Sequence, residues 1–104
     1  MSLIPKILII AGSDSGGGAG IQADIKTITY FKAYAMTAVT AITAQNTIGV
    51  QSIYPLPKEI VISQIQSVLS DLSPDVIKIG MLADIEIINY LSKNMRDFKI
   101  VLDP

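Results

Sequence analysis

Apolar residues in this chain follow two patterns, short continuous runs and runs spaced at helical intervals. The continuous runs predict strands buried on both faces, because a parallel sheet covered by helices has uninterrupted strands rich in Ile and Val. The predicted strands span Lys6–Ala11, Met36–Ala44, Val50–Tyr54, Val76–Ile79 and Lys99–Leu102.

Between the strands, apolar residues recur at the i, i+4 and i+7 positions that form one face of a helix. The three predicted faces are Ile21, Ile25, Ile28 and Phe31 or Lys32; Val61, Ile65, Val68 and Leu72; and Ile85, Ile88 and Leu91 or Ser92. Pro57 suits the first turn of the second helix, and Asp84 can cap the third.

This alternation of strands and helices predicts an α/β fold, with βαβ units and a parallel sheet that has helices on its faces. Ligands of such sheets bind beyond the carboxyl ends of the strands. Four segments, 12–20, 45–49, 80–84 and Asp103, follow predicted strands and are therefore expected at one rim. That rim is the predicted functional site.

The segment 12–20 holds five of the seven glycines and is predicted to be a loop. Glycines at this density let the backbone approach a ligand and expose N–H groups at a helix N-terminus. A Walker A loop is excluded, because no Lys-Ser or Lys-Thr pair follows the glycines. The GxGxxA pattern of Gly18–Ala23 leaves a dinucleotide binder open, but no acidic residue lies between Asp24 and Glu59 to hold a ribose. A loop that only turns tightly before a helix is the third interpretation.

Several polar residues at the rim admit two interpretations. Asp24, expected in the first helical turn, either complements the helix dipole or accepts a hydrogen bond from a ligand amine. Gln45 and Asn46 are either turn formers or amides that pair with the edge of a heteroaromatic ring. Met81 is either core or the wall of a pocket. Lys78 is interpreted as a strand residue whose ammonium group reaches solvent.

The amino-acid composition excludes several types of catalysis and metal binding. The chain has 104 residues, a net charge of −1, and no Cys, His or Trp. These absences exclude disulfides, thiolate chemistry, Ser-His-Asp catalysis and imidazole ligation within this sequence. The balanced charge argues against nucleic-acid or anionic-membrane partners, and no apolar stretch approaches the length of a membrane helix. The start of the chain lacks the cleavage region of a secretory signal, so the cytoplasm is the expected location.

Four sequence strings, in this order and spacing, carry a resemblance to a known family: AGSDSGGGAGIQADIKT, TAQNTIGV, IKIGML and VLDP. They resemble the hydroxymethylpyrimidine/phosphomethylpyrimidine kinases of thiamine biosynthesis, which are ribokinase-like enzymes. The resemblance covers residues 1–104 but only the amino-terminal part of the family's pattern. It implies an incomplete ribokinase-like domain, truncated before the ATP-binding half. Pyridoxal kinases share parts of the first string and are the near alternative.

By this resemblance, the reaction is the phosphorylation of 4-amino-5-hydroxymethyl-2-methylpyrimidine by ATP, and then of its monophosphate. The positions implied to bind this small aminopyrimidine are Gly12, Ala19, Asp24, Thr43, Gln45 and Met81. Asp103 corresponds to an acidic residue near the ATP phosphates and Mg²⁺. An aspartate and an amide together match the amine and ring nitrogens of an aminopyrimidine, which supports the assignment chemically.

The family's presumed base is a Cys in a Gly-Thr-Gly-Cys segment, and this sequence contains neither. No catalytic residue is therefore assigned, and the isolated chain is expected to be inactive. The alternative is a non-catalytic truncated or split-gene remnant. Because Lys99–Leu102 is expected to expose backbone pairing groups, a complementary C-terminal fragment is an expected partner. The resemblance also implies that the full-length protein is a homo-oligomer.

Overall fold

In the computed structural model, which describes residues 4–82 and 84–103, strands and helices alternate as the sequence predicts. The elements are β1 (Lys6–Ser13), α1 (Gly20–Tyr30), β2 (Tyr34–Gln45), β3 (Val50–Pro55), α2 (Lys58–Asp71), β4 (Val76–Ile79), α3 (Ile85–Asn94) and β5 (Lys99–Leu102). The first three residues, Ala83 in the predicted rim segment 80–84 and the final Pro104 lie outside the described residues.

The strands form one sheet in the order β3-β2-β1-β4-β5. Strands β2, β1, β4 and β5 are parallel neighbours, which confirms the βαβ prediction for these four. The expectation of a parallel sheet is wrong for β3, which pairs with β2 in the antiparallel sense. The reason is the connection, because the few residues between Gln45 and Val50 can close a hairpin but cannot form a crossover.

The hydrophobic core lies on both faces of the sheet, as expected for strands covered by helices. On one face, α2 and α3 cover a cluster formed by Leu8, Ile10, Met36, Ala38, Val61, Ile65, Ile77, Ile79, Ile87, Leu91 and Met95. On the other face, Ile21 and Ile28 of α1 form a cluster with Ile9 and Ala11 of β1. Alternate residues of β1 therefore enter opposite clusters, and both faces of the central strand are buried.

Two predicted helix faces differ from the observed ones. In α3, Ile87 and Leu91 are buried, whereas Ile85 is 72% exposed. Isoleucines at 85, 87 and 88 allow more than one apolar face, and packing against the sheet selects the face that contains Ile87. In α1, the face ends at Ile28, because the helix ends at Tyr30 and Phe31 is exposed.

The helix starts are close to those predicted. Asp84 caps α3, and its carboxylate accepts a hydrogen bond from the Glu86 N–H, which confirms the predicted cap. Pro57 lies immediately before α2 rather than in its first turn. Within residues 4–82 and 84–103, no helix combines the length and the apolar character needed to cross a membrane.

Candidate functional site

A cavity of about 530 Å³ opens at the carboxyl ends of the parallel strands, where the rim was predicted. All seven residues singled out from the sequence line it: Gly12, Ala19, Asp24, Thr43, Gln45, Met81 and Asp103. The cavity also has lining residues that the sequence analysis did not select: Ala11, Ala23, Val50, Ile53 and Lys78. Its volume is in the range of small-molecule sites. The binding roles of the seven residues stay predictions.

The glycine loop is organised around the carboxylate of Asp14, which is 5% exposed. Asp14 Oδ1 accepts from the N–H of Gly16 at 2.7 Å, and Oδ2 accepts from those of Gly18 at 3.0 Å and Ala19 at 2.8 Å. The expectation that the loop exposes its N–H groups is therefore wrong for these three residues. The chain's own carboxylate already occupies the position that an anion would take at the start of α1.

Side chains on neighbouring elements fix the two ends of this loop. Gln22 Oε1 accepts from the Asp14 N–H at 2.8 Å, and Gln22 Nε2 donates to Ser13 Oγ at 2.7 Å. The Ser15 hydroxyl lies 2.7 Å from both the backbone N and the backbone O of Gln45. The loop is thus tied to α1 on one side and to β2 on the other, which holds the cavity's rim in place.

The structure separates the two amides that follow β2. Asn46 Oδ1 accepts from the N–H groups of Ile48 and Gly49, so Asn46 acts as a turn former. Gln45 lines the cavity. The Thr43 hydroxyl donates to the Ser13 carbonyl oxygen at 2.8 Å, and Gln45 Oε1 lies 3.2 Å from the same hydroxyl. Among the described residues, Gln45 Nε2 has no hydrogen-bond partner, so a ligand acceptor can use it.

Lys78 lies at the centre of the charged part of the cavity. Its Nζ is 2.6 Å from Asp24 Oδ1 and 3.3 Å from Asp103 Oδ2. The interpretation of Lys78 as a solvent-reaching strand residue is incomplete, because its ammonium group also pairs with these carboxylates. Asp24 is also one turn later than expected, since α1 begins at Gly20. A lysine in a strand predicted to be buried on both faces was the available signal, because such a charge requires a partner.

Burial and the neighbouring carboxylates shift the pKa of Lys78 in opposite directions. Burial lowers its pKa, but the hydrogen bond and charge of Asp24, followed by those of Asp103, outweigh burial and hold the pKa above its ordinary value of 10.5. The protonated lysine is therefore stabilised in the folded protein. Lys78 therefore remains charged across the neutral range.

Removal of the Lys78 charge is expected to destabilise the fold in a pH-dependent way. Because folding raises the pKa, the stabilisation is complete below the unfolded-state pKa and is lost as the pH rises through the folded-state pKa. At pH 8, Lys78→Met is expected to lower the free energy of unfolding by about 1 kcal/mol. Urea titrations at rising pH should show this difference shrinking towards pH 11. A difference that stays constant with pH would contradict the assignment.

Apolar side chains form part of the cavity wall. Met81 is 45% exposed and lines the cavity, so it is a wall residue rather than core. Val50 and Ile53 reach the same cavity from β3. Sequence analysis missed these two because their placement depends on the antiparallel hairpin. A flat ring bound against these three side chains would bury apolar surface while its edge meets polar groups.

The parallel strands, the helices on both faces and the cavity at the strand ends define an α/β protein, and its fold matches the structures of ribokinase-like kinases. A family model described as phosphomethylpyrimidine kinase matches residues 14–104. The chain belongs to the phosphomethylpyrimidine kinase family.

Similar proteins agree with this family. A hydroxymethylpyrimidine/phosphomethylpyrimidine kinase from Bacillus subtilis is 47% identical over 97% of this chain and 38% of its own length. The crystal structure of phosphomethylpyrimidine kinase from Clostridium difficile is 46% identical, with a TM-score of 0.86 over 97% of this chain and 45% of that one. Pyridoxal kinase from Staphylococcus aureus, solved with AMP-PCP and pyridoxal, is 38% identical, with a TM-score of 0.87 over 99% of this chain and 39% of that one. The chain therefore spans less than half the length of these relatives.

Proposed function

We propose that the chain provides the pyrimidine-binding part of a hydroxymethylpyrimidine/phosphomethylpyrimidine kinase. Such an enzyme transfers a phosphoryl group from ATP to 4-amino-5-hydroxymethyl-2-methylpyrimidine, and then to its monophosphate. One observation carries the proposal: within the described residues, an unpaired carboxylate oxygen, Asp24 Oδ2, and an unpaired amide nitrogen, Gln45 Nε2, belong to residues that line the same partly apolar cavity.

The chemistry of an aminopyrimidine matches these groups. Its exocyclic amine donates hydrogen bonds, which Asp24 Oδ2 accepts, and its ring nitrogens accept, for which Gln45 Nε2 is the donor. The ring itself contacts Met81 and the two β3 side chains. The family relation and the resemblance in residues 11–27 support the same substrate class.

Asp103 is the residue proposed to face the nucleotide. Its carboxylate is 59% exposed at the edge of the cavity, which leaves it accessible to a cation. In the described part of the chain, no three metal-ligating side chains cluster together. Mg²⁺ fits such a site, because it is commonly held by one or two carboxylates and by substrate phosphates. Bound there with ATP, Mg²⁺ would neutralise charge on the phosphates.

Ligand binding tests the proposal directly. In calorimetric titrations with 4-amino-5-hydroxymethyl-2-methylpyrimidine, Asp24→Asn and Gln45→Ala are each expected to weaken affinity by about tenfold or more, because each removes a polar contact from a desolvated site. Asp97→Asn and Gln66→Ala change the same residue types at exposed positions outside the cavity and serve as matched controls. Equal affinities of the cavity variants and their controls would exclude this site.

Pyridoxal is the second candidate ligand, because a pyridoxal kinase shares this part of the fold. Pyridoxal has no exocyclic amine that could donate a hydrogen bond to Asp24. We therefore expect it to bind more weakly than the aminopyrimidine, and to be displaced by it in a competition titration. Tighter binding of pyridoxal than of the aminopyrimidine would favour a pyridoxal kinase as the proposed function instead.

The isolated chain is proposed to bind the pyrimidine without phosphorylating it. No Cys or Gly-Thr-Gly-Cys segment is present in the 104 residues to supply the base and phosphate cradle that the resemblance implies. Transfer of labelled phosphate from ATP by the purified chain would contradict this. A cytoplasmic location, self-association of the full-length kinase and pairing with a complementary C-terminal fragment also remain predictions.

A further inference from the structure

The ion pair between Lys78 and Asp24 is the closest pair of opposite charges in the cavity, and the proposed function leaves the lysine without a role. The Nζ–Oδ1 distance is 2.6 Å, and the two side chains are only 24% and 18% exposed. Asp103 is a weaker partner, since it is farther from Nζ, at 3.3 Å, and 59% exposed. Lys78 therefore acts mainly on Asp24.

This pair changes what Asp24 can accept. A free carboxylate can receive two parallel hydrogen bonds and attracts a cation. In this cavity, Lys78 occupies Oδ1 and places a positive charge beside it. Only Oδ2 remains without a partner among the described residues, so Asp24 can accept from one side of a ligand but cannot form a two-pronged contact with both its oxygens.

The other charged groups near the cavity are engaged elsewhere or are more exposed. The Asp14 carboxylate accepts from three loop N–H groups, and Lys26 Nζ, on the same helix as Asp24, donates to the Gly17 carbonyl oxygen. The cavity residues from β2 and β3 include no titratable side chain. Asp103, which follows β5, is the remaining charge. Within the described residues, Lys78 is thus the only cation that lines the cavity, and it sets the charge around Asp24.

We propose that Lys78 determines the protonation state of the ligand: it makes Asp24 accept the amine of a neutral aminopyrimidine and reject the ring-protonated form. An aminopyrimidine protonated on N3, the ring nitrogen next to the amino-bearing carbon, resembles an amidinium and presents two adjacent N–H donors and a positive charge. A carboxylate with both oxygens free would favour that form. Lys78 blocks the second oxygen and repels the charge. This inference rests on the proposed function, since it assumes that the aminopyrimidine contacts Asp24.

The test is the pH dependence of affinity. The dissociation constant of 4-amino-5-hydroxymethyl-2-methylpyrimidine is measured between about pH 5 and 8, and the ring pKa of the free ligand is determined by its absorbance. For the unmodified chain, the dissociation constant is expected to rise by about tenfold per pH unit below the ring pKa, because only the neutral form binds. In Lys78→Met, which removes the charge and frees Oδ1, this rise is expected to flatten or reverse.

Controls separate this effect from a general loss of structure. Lys58→Met removes a lysine from an exposed ion pair with Glu86 outside the cavity, and its pH profile is expected to match that of the unmodified chain. Lys78→Arg keeps the charge and is expected to restore the original slope. If Lys78→Met does not fold, as judged by circular dichroism, Lys78→Gln is the second neutral variant.

The possible results distinguish the two proposals. A flattened profile in the neutral Lys78 variants alone supports the inference. Normal binding with the same slope in all variants overturns it and leaves the proposed function intact, as does tighter binding by the unmodified chain at low pH. If the unmodified chain binds no aminopyrimidine at any pH, the proposed function fails and this inference fails with it.

Discussion

Gly20→Ala is expected to lower the free energy of unfolding by about 3–5 kcal/mol, more than alanine at either of two other glycines, Gly17 and Gly49. Gly20 begins α1 with φ of +58°, a conformation that residues with a Cβ adopt only with strain. A Cβ at this position would also lie 2.3 Å from the Gly12 carbonyl oxygen. The backbone must therefore shift where β1 and α1 meet, which also moves the cavity's rim.

Alanine substitutions at two other glycines distinguish the effect of backbone strain from that of a steric clash. Gly17 has φ of +83° but its added Cβ would meet only Lys26 Nζ, at 3.5 Å, so Gly17→Ala is expected to cost about 1 kcal/mol. Gly49 has no heavy atom within 4 Å of its added Cβ, so Gly49→Ala is expected to be nearly neutral. Urea unfolding of the three variants provides the measurement. Similar stability of Gly20→Ala and Gly17→Ala would show that the collision with Gly12 is relieved at little cost.

Asp14→Ala is expected to have the second large effect, a loss of about 2–4 kcal/mol in the free energy of unfolding. The substitution leaves the N–H groups of Gly16, Gly18 and Ala19 without their acceptor in a part-buried loop. Because this loop forms the rim of the cavity, the affinity for an aminopyrimidine is expected to fall as well. Thermal unfolding and calorimetric titration of the same sample measure both effects.

Asp14→Asn tests whether the acceptor oxygens are responsible. One carboxamide oxygen can still serve the N–H groups of Gly18 and Ala19, but the NH₂ group would face the N–H of Gly16, so an intermediate loss is expected. Asp97→Ala, at an exposed position, is the control for loss of an aspartate and is expected to have little effect. If Asp14→Ala is as stable as this control, the loop does not depend on the carboxylate.

The sequence of the glycine loop predicted the shape of its backbone but not the hydrogen bonds made by Asp14. Glycine density correctly indicated a tight turn before a helix. It did not indicate that Asp14 would occupy the N–H groups, because the serines, aspartate and glycines of this loop are equally compatible with an exposed anion site. Only the folded path of the loop brings the Asp14 carboxylate over the start of α1.

Lys78 is the clearest case of information that resides in the tertiary structure. Asp24, Lys78 and Asp103 are far apart along the chain, and only the order β1-β4-β5 with α1 above it brings them together. Sequence alone showed a lysine between isoleucines, and a long side chain can reach solvent from such a position. Which partner it meets depends on the strand order.

By itself, the sequence determined the order of strands and helices, the burial of the central strand and the convergence of the rim segments on a cavity at the carboxyl ends of the strands. It did so because local periodicity and the chain direction within βαβ units decide these features. Tertiary structure decided the antiparallel pairing of β3, the buried face of α3, the role of Asp14 and the pairing of Lys78 with Asp24. These features depend on contacts between distant residues, for which several partners were compatible with the same local pattern.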